Sequence, residues 1–524
     1  MQGDARYSPC QSTCPIIGTN HTLQNRLPRQ CVSHAYNGRR TDVIHEPRFA
    51  VEDQPFEQTL ARGGHQVPTD RESKDISRRS FISRTAVGGA GLLIAKDILS
   101  PEFASGGTKS TNATMMGVPF EGRERVRLGI IGVGGRGTSL LQDLLAIEKV
   151  EVKAICDLVP AKVARAQKAV TDAGQAQPVG FSKGEKDFEN LTKLDLDIVY
   201  IATPWDWHVP MAVSAMKNGH HAAVEVPACQ TLQECWELVD TSEATRKHCV
   251  ILENCCYGDT EMMVLGMIRD GVFGEILHGE AAYLHDLRGI LTSPEGEGMW
   301  RRFPHMNRNG NLYPTHGLGP VAHYMDIHRG DRFDYMVSVS SAEAALSAYV
   351  KANFADGDPK RTEKYICGDM NTSIIKTLKG RTILLQHDVV SPRPYSRLNA
   401  VSGTKGAFAD YPPRVFVDGT KEEEWHNIDG FKEKYEHPLW KASGELARKM
   451  GGHGGMDYIM NYRLMDCLKR GLVPDINVYD AAAWSAPIAL SETSVHQNGA
   501  PQKFPDFTRG KWSASNPLGF AVQV

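Results

Sequence analysis

The stretch between residues 126 and 157 constrains the fold of this chain more than any other. Val126-Arg-Leu-Gly-Ile-Ile131 is short, apolar and β-branched, as a strand buried on both faces should be. It runs directly into Gly132-Val-Gly134-Gly135-Arg136-Gly137, a complete GxGxxG, and the helical pattern Ser139-Leu-Leu-Gln-Asp-Leu-Leu-Ala-Ile147 follows at once. Gly132, Gly134 and Gly137 suit a tight turn, the approach of backbone to a pyrophosphate, and close helix–strand packing. A second strand, Val150–Cys156, leads to Asp157, about twenty residues beyond the last glycine. An acid there accepts the adenine ribose 2′-hydroxyl and repels a 2′-phosphate, so NAD is expected rather than NADP. The plainer alternative for Asp157 is a cap on a helix opening at Pro160.

The alternation continues. Asp197–Ala202 reads as a strand, followed by Thr203-Pro-Trp205-Asp206-Trp207-His208 and a helix through Lys217. His221–Glu225 is another strand, then come Val226-Pro227 and a helix from about Leu232 to Lys247, and Cys249–Glu253 closes the series. Strand and helix in turn at this spacing predict an α/β, doubly wound parallel Rossmann sheet over 121–253. Such sheets bind ligands beyond the carboxyl ends of their strands, which brings Asp157, Thr203–His208, Glu225 and Asn254 to one crevice. From Glu275 the pattern changes: Glu275–Leu284, Met336–Ser341 and Thr382–Val390 read as strands, with a helix around Leu318–His328. An α+β substrate-binding domain with an open, mainly antiparallel sheet is expected over 254–524.

Glu225-Val226-Pro227 stands where the glucose–fructose oxidoreductase / inositol dehydrogenase family, which this arrangement resembles, has Glu-Lys-Pro. The family's Lys helps to move the substrate hydroxyl proton, and Val226 can do nothing of the kind. Longer blocks resemble glycoside hydrolase family 109. They are Glu225-Val-Pro, Cys235-Trp-Glu, Leu252-Glu-Asn254, Ala282-Tyr283-Leu-His-Asp-Leu-Arg288 and Arg308-Asn-Gly-Asn-Leu-Tyr-Pro-Thr-His-Gly-Leu-Gly-Pro320. Gly452-His-Gly-Gly-Met-Asp457, Val478-Tyr-Asp-Ala-Ala-Ala-Trp484 and Pro505-Asp-Phe-Thr-Arg-Gly-Lys-Trp512 extend the likeness over roughly residues 120–515.

That resemblance implies an NAD-dependent alpha-N-acetylgalactosaminidase. It implies cofactor contacts at Gly135, Arg136, Asp157, Trp205, Asp206, Trp207, His208, Glu225, Val226 and Asn254, beside the turn glycines. Sugar contacts are implied at Tyr283, Arg301, Tyr313, Pro314, Thr315, His316 and Tyr395, with Arg301 preferred to Arg302 on spacing alone. The implied chemistry oxidises C3 of the sugar transiently, removes the acidified C2 proton, expels the C1 substituent, adds water and restores C3. It needs bases near C3 and C2 and an acid at the leaving oxygen, and His316 and Tyr313 are the candidate catalytic pair. Conventional glycosidases use two carboxylates instead, for which Glu280, Asp286 and Asp326 would be candidates. No metal is expected: His323, Asp326 and His328 lack the spacing of a ligand set. A sugar or polyol dehydrogenase and a non-catalytic NAD-binding protein are the alternative functions.

Net charge is −3, so nothing suggests nucleic acid or an anionic membrane surface. The partners expected are a small molecule or glycan bearing N-acetylgalactosamine and, in a homodimer, a second copy of the chain. The eleven cysteines contain no CxxC pair and read as buried thiols. Residues 1–76 cannot bury a core and read as a disordered extension or a mis-assigned start. In 77–120, Ser77-Arg78-Arg79-Ser80-Phe81-Ile82 resembles a twin-arginine export signal, backed by the apolar Thr85–Ala95 and the polar linker Ser105–Asn112. The apolar run is too short to span a bilayer. That route exports proteins already folded, which suits a chain carrying a dinucleotide to the periplasm or beyond. Replacing Arg78 and Arg79 by Lys should leave the protein in the cytoplasm, because the pathway reads guanidinium groups; cell fractionation checks this.

Overall fold

The computed structural model describes residues 113–420, 423–513, 518 and 520. The expected extension, export signal and most of the linker lie outside them. Six strands form the first sheet: β1 (Val126–Ile131), β2 (Val150–Cys156), β3 (Val179–Phe181), β4 (Ile198–Ile201), β5 (His221–Val224) and β6 (Cys249–Ile251). Their order is β3-β2-β1-β4-β5-β6, and every pair is parallel. Leu128, Ile130, Val199, Tyr200 and Val224 have no exposed surface, so helices cover both faces of the sheet. β3 carried no sequence signal: it has three residues, with Gly180 in the middle.

The helices fall where the pattern put them. Gly135–Leu145 starts inside the glycine turn, and His208–Lys217 and Leu232–Thr245 follow β4 and β5. Thr231 and Glu234 cap the last reciprocally, each side chain accepting a backbone N–H of the other.

The second sheet contains β7 (Ile276–Leu284), β8 (Phe333–Ser340), β9 (Asn371–Thr377), β10 (Thr382–Asp388), β11 (Ala400–Gly403), β12 (Gly406–Ala409), β13 (Arg414–Val417), β14 (His426–Asn427) and β15 (Gln502–Lys503). The order is β14-β13-β12-β11-β7-β10-β9-β8-β15, antiparallel except for β7 with β10. The helix expected around Leu318–His328 runs instead over Thr315–Tyr324. Gly317, Gly319 and Pro320 hide its start from propensity, while Asp326 and His328 adopt positive φ and so lie in the turn beyond its end.

The chain then returns to the first sheet. Helix Met456–Arg470 packs on Gly135–Leu145, and Val478–Ser485 packs on β6 and Leu232–Thr245. Asn461 donates to Asp143 at 3.2 Å and accepts the Tyr200 hydroxyl at 3.2 Å. Burial and the charge of Asp457 push Asp143 up to about 7. All eight described cysteines are buried thiols. Among the described residues no helix is long and apolar enough to cross a membrane.

The helix Thr315–Tyr324 can lie on β7 only because Gly317 has no side chain: a Cβ there would sit 2.2 Å from Ala282 N and 2.6 Å from Ala282 O. Gly317→Ala should therefore cost about 1–3 kcal/mol or more and lower Tm by several degrees. Gly430→Ala, which meets nothing within 4 Å, should leave Tm unchanged in the same calorimetric scan.

Candidate active site

A cleft of about 650 Å³ opens where the carboxyl ends of the first sheet face the end of β7. Gly132 turns the chain at φ +85°, and a Cβ on Gly137 would lie 1.8 Å from Gly132 O, so helix and turn touch through Gly137. Gly137 is thus beneath the turn, whereas Gly132, Gly134, Gly135 and Arg136 line the cleft. A Cβ on Gly135 would meet nothing within 4 Å, which leaves the open backbone approach a pyrophosphate requires. Asp157 Oδ2 accepts Val133 N–H and Oδ1 accepts Val159 N–H, both at 2.9 Å. Its carboxylate therefore ties the glycine turn to the start of the next helix at the rim of the cleft.

One wall comes from the loops after β4, β5 and β6. Trp205, Trp207, His208, Glu225, Val226 and Asn254 line it, while Asp206 is exposed outside. His208 is buried between the carbonyls of Pro227 and Thr203, at 2.8 and 2.9 Å, and burial lowers its pKa. It holds the two loops together. Arg136 pairs with Glu225 at 2.6 Å and with Asp457 at 2.5 Å. Asn254 Nδ2 donates to the other Asp457 oxygen at 2.6 Å, and His453 meets Asp457 at 2.9 Å. Burial alone would raise the Asp457 pKa, but His453 and Arg136 overcome it and hold the carboxyl well below the usual range. The hydrogen bond to Asp457 in turn raises His453, which lines the cleft.

The opposite wall is aromatic and basic. Tyr283 ends β7 with its ring centroid 4.6 Å from Tyr313 and 5.4 Å from His316. Tyr313 Oη lies 3.4 Å from His316 Nε2, and His316 Nδ1 donates to Glu253 Oε1 at 2.7 Å. Arg301 stacks 4.8 Å over Tyr313 and 5.4 Å over Trp205, and Trp300 packs edge-on against Trp205 at 5.1 Å. Arg302 points away, bound to Glu363 and to the carbonyls of Leu291 and Gly298. Tyr395 stands behind, 4.9 Å from His285 and 6.1 Å from Tyr283, taking a hydrogen bond from Arg397. Pro314 and Thr315, expected as sugar contacts, are buried and do not line the cleft. Burial pushes the phenols of Tyr283 and Tyr313 up, with Arg301 opposing, so both are protonated donors at neutral pH.

Two of the three acids named for a paired-carboxylate mechanism are committed to ion pairs, and the third, Glu280, lies on β7 outside the cleft lining. Asp286 is held by Arg288 and Asp326 by Arg269, while Glu225 and Glu297, which do line the cleft, are held by Arg136 and Arg301. His323 packs on Trp484 and His328 bonds Asp480, so neither joins Asp326 in a ligand set. Glu253, Cys255 and His316 do offer one ligand atom each within 4.8 Å of one another. The short Glu253–His316 hydrogen bond already occupies two of them, and burial drives the Cys255 thiol well up, away from the thiolate a metal would want.

Residues 126–253 match the oxidoreductase family, NAD-binding Rossmann fold, and 257–514 match the glycosyl hydrolase 109, C-terminal domain. A glycosyl hydrolase family 109 protein of Solibacter usitatus (strain Ellin6076) is 56% identical over 445 residues, 84% of this chain and 99% of the relative. The chain belongs to glycosyl hydrolase family 109. A second family 109 protein, from Saccharopolyspora erythraea, is 51% identical over 86% of this chain and 97% of its own. Among solved structures, a levoglucosan dehydrogenase in complex with NADH superposes with a TM-score of 0.57 at 18% identity, covering 73% of this chain and all but 1% of its own (99%). The scyllo-inositol dehydrogenase of Lactobacillus casei gives 0.52 at 14%, covering 72% and 99%. At such identities these two speak for the fold.

NAD is the cofactor of this family 109 chain, and the open backbone at Gly134–Gly135 with Asp157 at the rim fits it. Among the cleft residues that escaped the sequence reading are Lys162, His285, Glu297 and His453. Two that hold the cleft from behind, Glu253 and Asp457, escaped it too. Glu253, His285, His453 and Asp457 lie in blocks that the resemblance had marked, yet their partners are distant in sequence, and composition alone cannot pair them.

Proposed function

We propose that this chain hydrolyses terminal alpha-linked N-acetylgalactosamine without net oxidation. The observation that carries the reading is a dinucleotide cleft whose second wall is Tyr283, Arg301, Tyr313 and His316, with the lining carboxylates Glu225 and Glu297 tied to arginines. NAD, when bound, supplies a hydride acceptor and donor for C3 of the sugar, and a C3 ketone makes the proton on C2 acidic.

The rest falls to the chain's own groups. His316 has one nitrogen pinned by Glu253 and the other turned towards Tyr313, which suits a general base. The protonated phenols of Tyr283 and Tyr313 suit proton donation to the leaving C1 oxygen and to the carbonyl that develops at C3. Arg301, stacked on Tyr313 and Trp205, can hold a sugar oxygen and favour the negative charge of the enolate. The C2 proton goes to the base, the C1–O bond breaks, and water adding at C1 returns a proton to C2. Val226 stands where the resembling dehydrogenases have a proton-carrying Lys, which favours this reading over an ordinary dehydrogenase. Export by the twin-arginine route, proposed from Arg78 and Arg79, would place the enzyme among extracellular glycans.

Substrate deuterated at C2 should lose its label to solvent during cleavage, or be cleaved more slowly. Thioglycosides, which resist protonation of the leaving atom, should still be cleaved. Full retention of the C2 label with no isotope effect and no thioglycoside cleavage would return the chemistry to ordinary acid catalysis.

A further inference from the structure

Behind His316 lies a carboxylate that the binding of cofactor and sugar leaves unexplained. Glu253 lies two residues beyond β6 and is wholly buried. Its Oε1 accepts His316 Nδ1–H at 2.7 Å and the backbone N–H of Cys255 at 3.2 Å. Its Oε2 is sealed from water beside the Thr315 hydroxyl and makes no well-formed hydrogen bond. An incompletely paired buried polar group costs about 1–3 kcal/mol, more when charged, so a purely structural post would be better filled by an amide or an apolar side chain. The helix has also made room for it: a Cβ on Gly319 would lie 2.9 Å from Glu253 Cγ.

We propose that Glu253 is the positioning residue of His316, fixing which imidazole nitrogen faces the cleft and stabilising the imidazolium that forms when His316 takes a proton. A carboxylate can only accept, so Nδ1 carries the hydrogen and Nε2 is left bare towards Tyr313 Oη. When Nε2 takes a proton from carbon or hydroxyl, Nδ1 keeps its own, Glu253 stays ionised, and the positive ring sits on a negative oxygen. The same logic operates where a buried acid orients a catalytic histidine.

The other groups around the ring are Tyr283 and His285 from β7 and its continuation, Tyr313 ahead of the helix, Cys255 from the turn after β6, and Arg301 above Tyr313. Arg301 opposes a second positive charge, and the tyrosines and the thiol are neutral. Glu253 is the carboxylate in direct contact that offsets it. Burial pushes the Glu253 carboxyl up, but His316, Thr315 and the Cys255 N–H outweigh that and hold it low, so the charge is present at neutral pH.

The role in turnover rests on the proposed glycosidase reading; the role in setting the imidazole does not, and the test separates them. In the full-length wild-type protein, nitrogen-15 NMR should find neutral His316 protonated on Nδ1, its signal identified by loss in His316→Ala. An Nε2-protonated ring would overturn the proposal without any variant at Glu253. In Glu253→Gln the His316 titration should move to lower pH, because the imidazolium has lost its counter-charge. With a terminal alpha-N-acetylgalactosaminide, Glu253→Gln should lower kcat about 10²–10⁴-fold while KM and bound dinucleotide stay as in wild type. Adding it to His316→Ala should cost nothing further, and Glu253→Asp should recover part of the loss. An unmoved titration with wild-type kcat, or losses that multiply in the double variant, would overturn it. A moved titration in a protein that releases no sugar would leave the positioning role standing and remove the substrate reading instead.

Discussion

The buried carboxylate of Asp457 is the point on which the dinucleotide side of the cleft depends. It takes Arg136 from the glycine turn, Asn254 from the end of β6 and His453 from its own loop. Five consecutive residues, Gly451 to Gly455, run at positive φ to bring it there, and a Cβ on Gly452 would lie 2.8 Å from its Oδ2. Removing one member of a buried ion pair commonly costs about 3–5 kcal/mol, because the other charge is left uncompensated. Here Arg136, beside the cofactor turn, would be left with Glu225 alone. The dinucleotide site is therefore completed by a residue more than three hundred positions downstream (Arg136 to Asp457).

In the proposed function, a dinucleotide-binding framework serves a reaction without net oxidation. The first sheet keeps the parallel order and glycine turn that bind a dinucleotide. Valine stands at position 226, after β5, and the proposed proton handling falls to the far wall. There β7 delivers Tyr283 and the helix Thr315–Tyr324 delivers His316, brought together because Gly317 lets helix and strand touch. Packing thus fixes the spacing of the reacting groups.

The first sheet was legible almost residue by residue, because strand burial, glycine turn and helix period all point the same way there. Its strand ends drew Asp157, Trp205, Glu225 and Asn254 to one crevice, as found. The second domain was less legible. The helix start was hidden by Gly317 and Pro320, and the return of Met456–Arg470 to the first sheet leaves no local mark, since a helix's periodicity does not name its partner. Spacing alone preferred Arg301 to Arg302, and the structure turns Arg301 to the cleft and Arg302 to Glu363. Glu253 passed unnoticed because an acid after a strand has no chemistry until the histidine it meets is known.

In the proposed reaction the hydride taken up by the cofactor returns to the same sugar. This is tested by following free sugar and NADH together while the purified enzyme acts on a terminal alpha-N-acetylgalactosaminide with NAD in excess. Many sugars should be released per enzyme-bound dinucleotide, with no accumulation of NADH. NADH rising in step with an oxidised sugar would contradict it and make the chain a dehydrogenase.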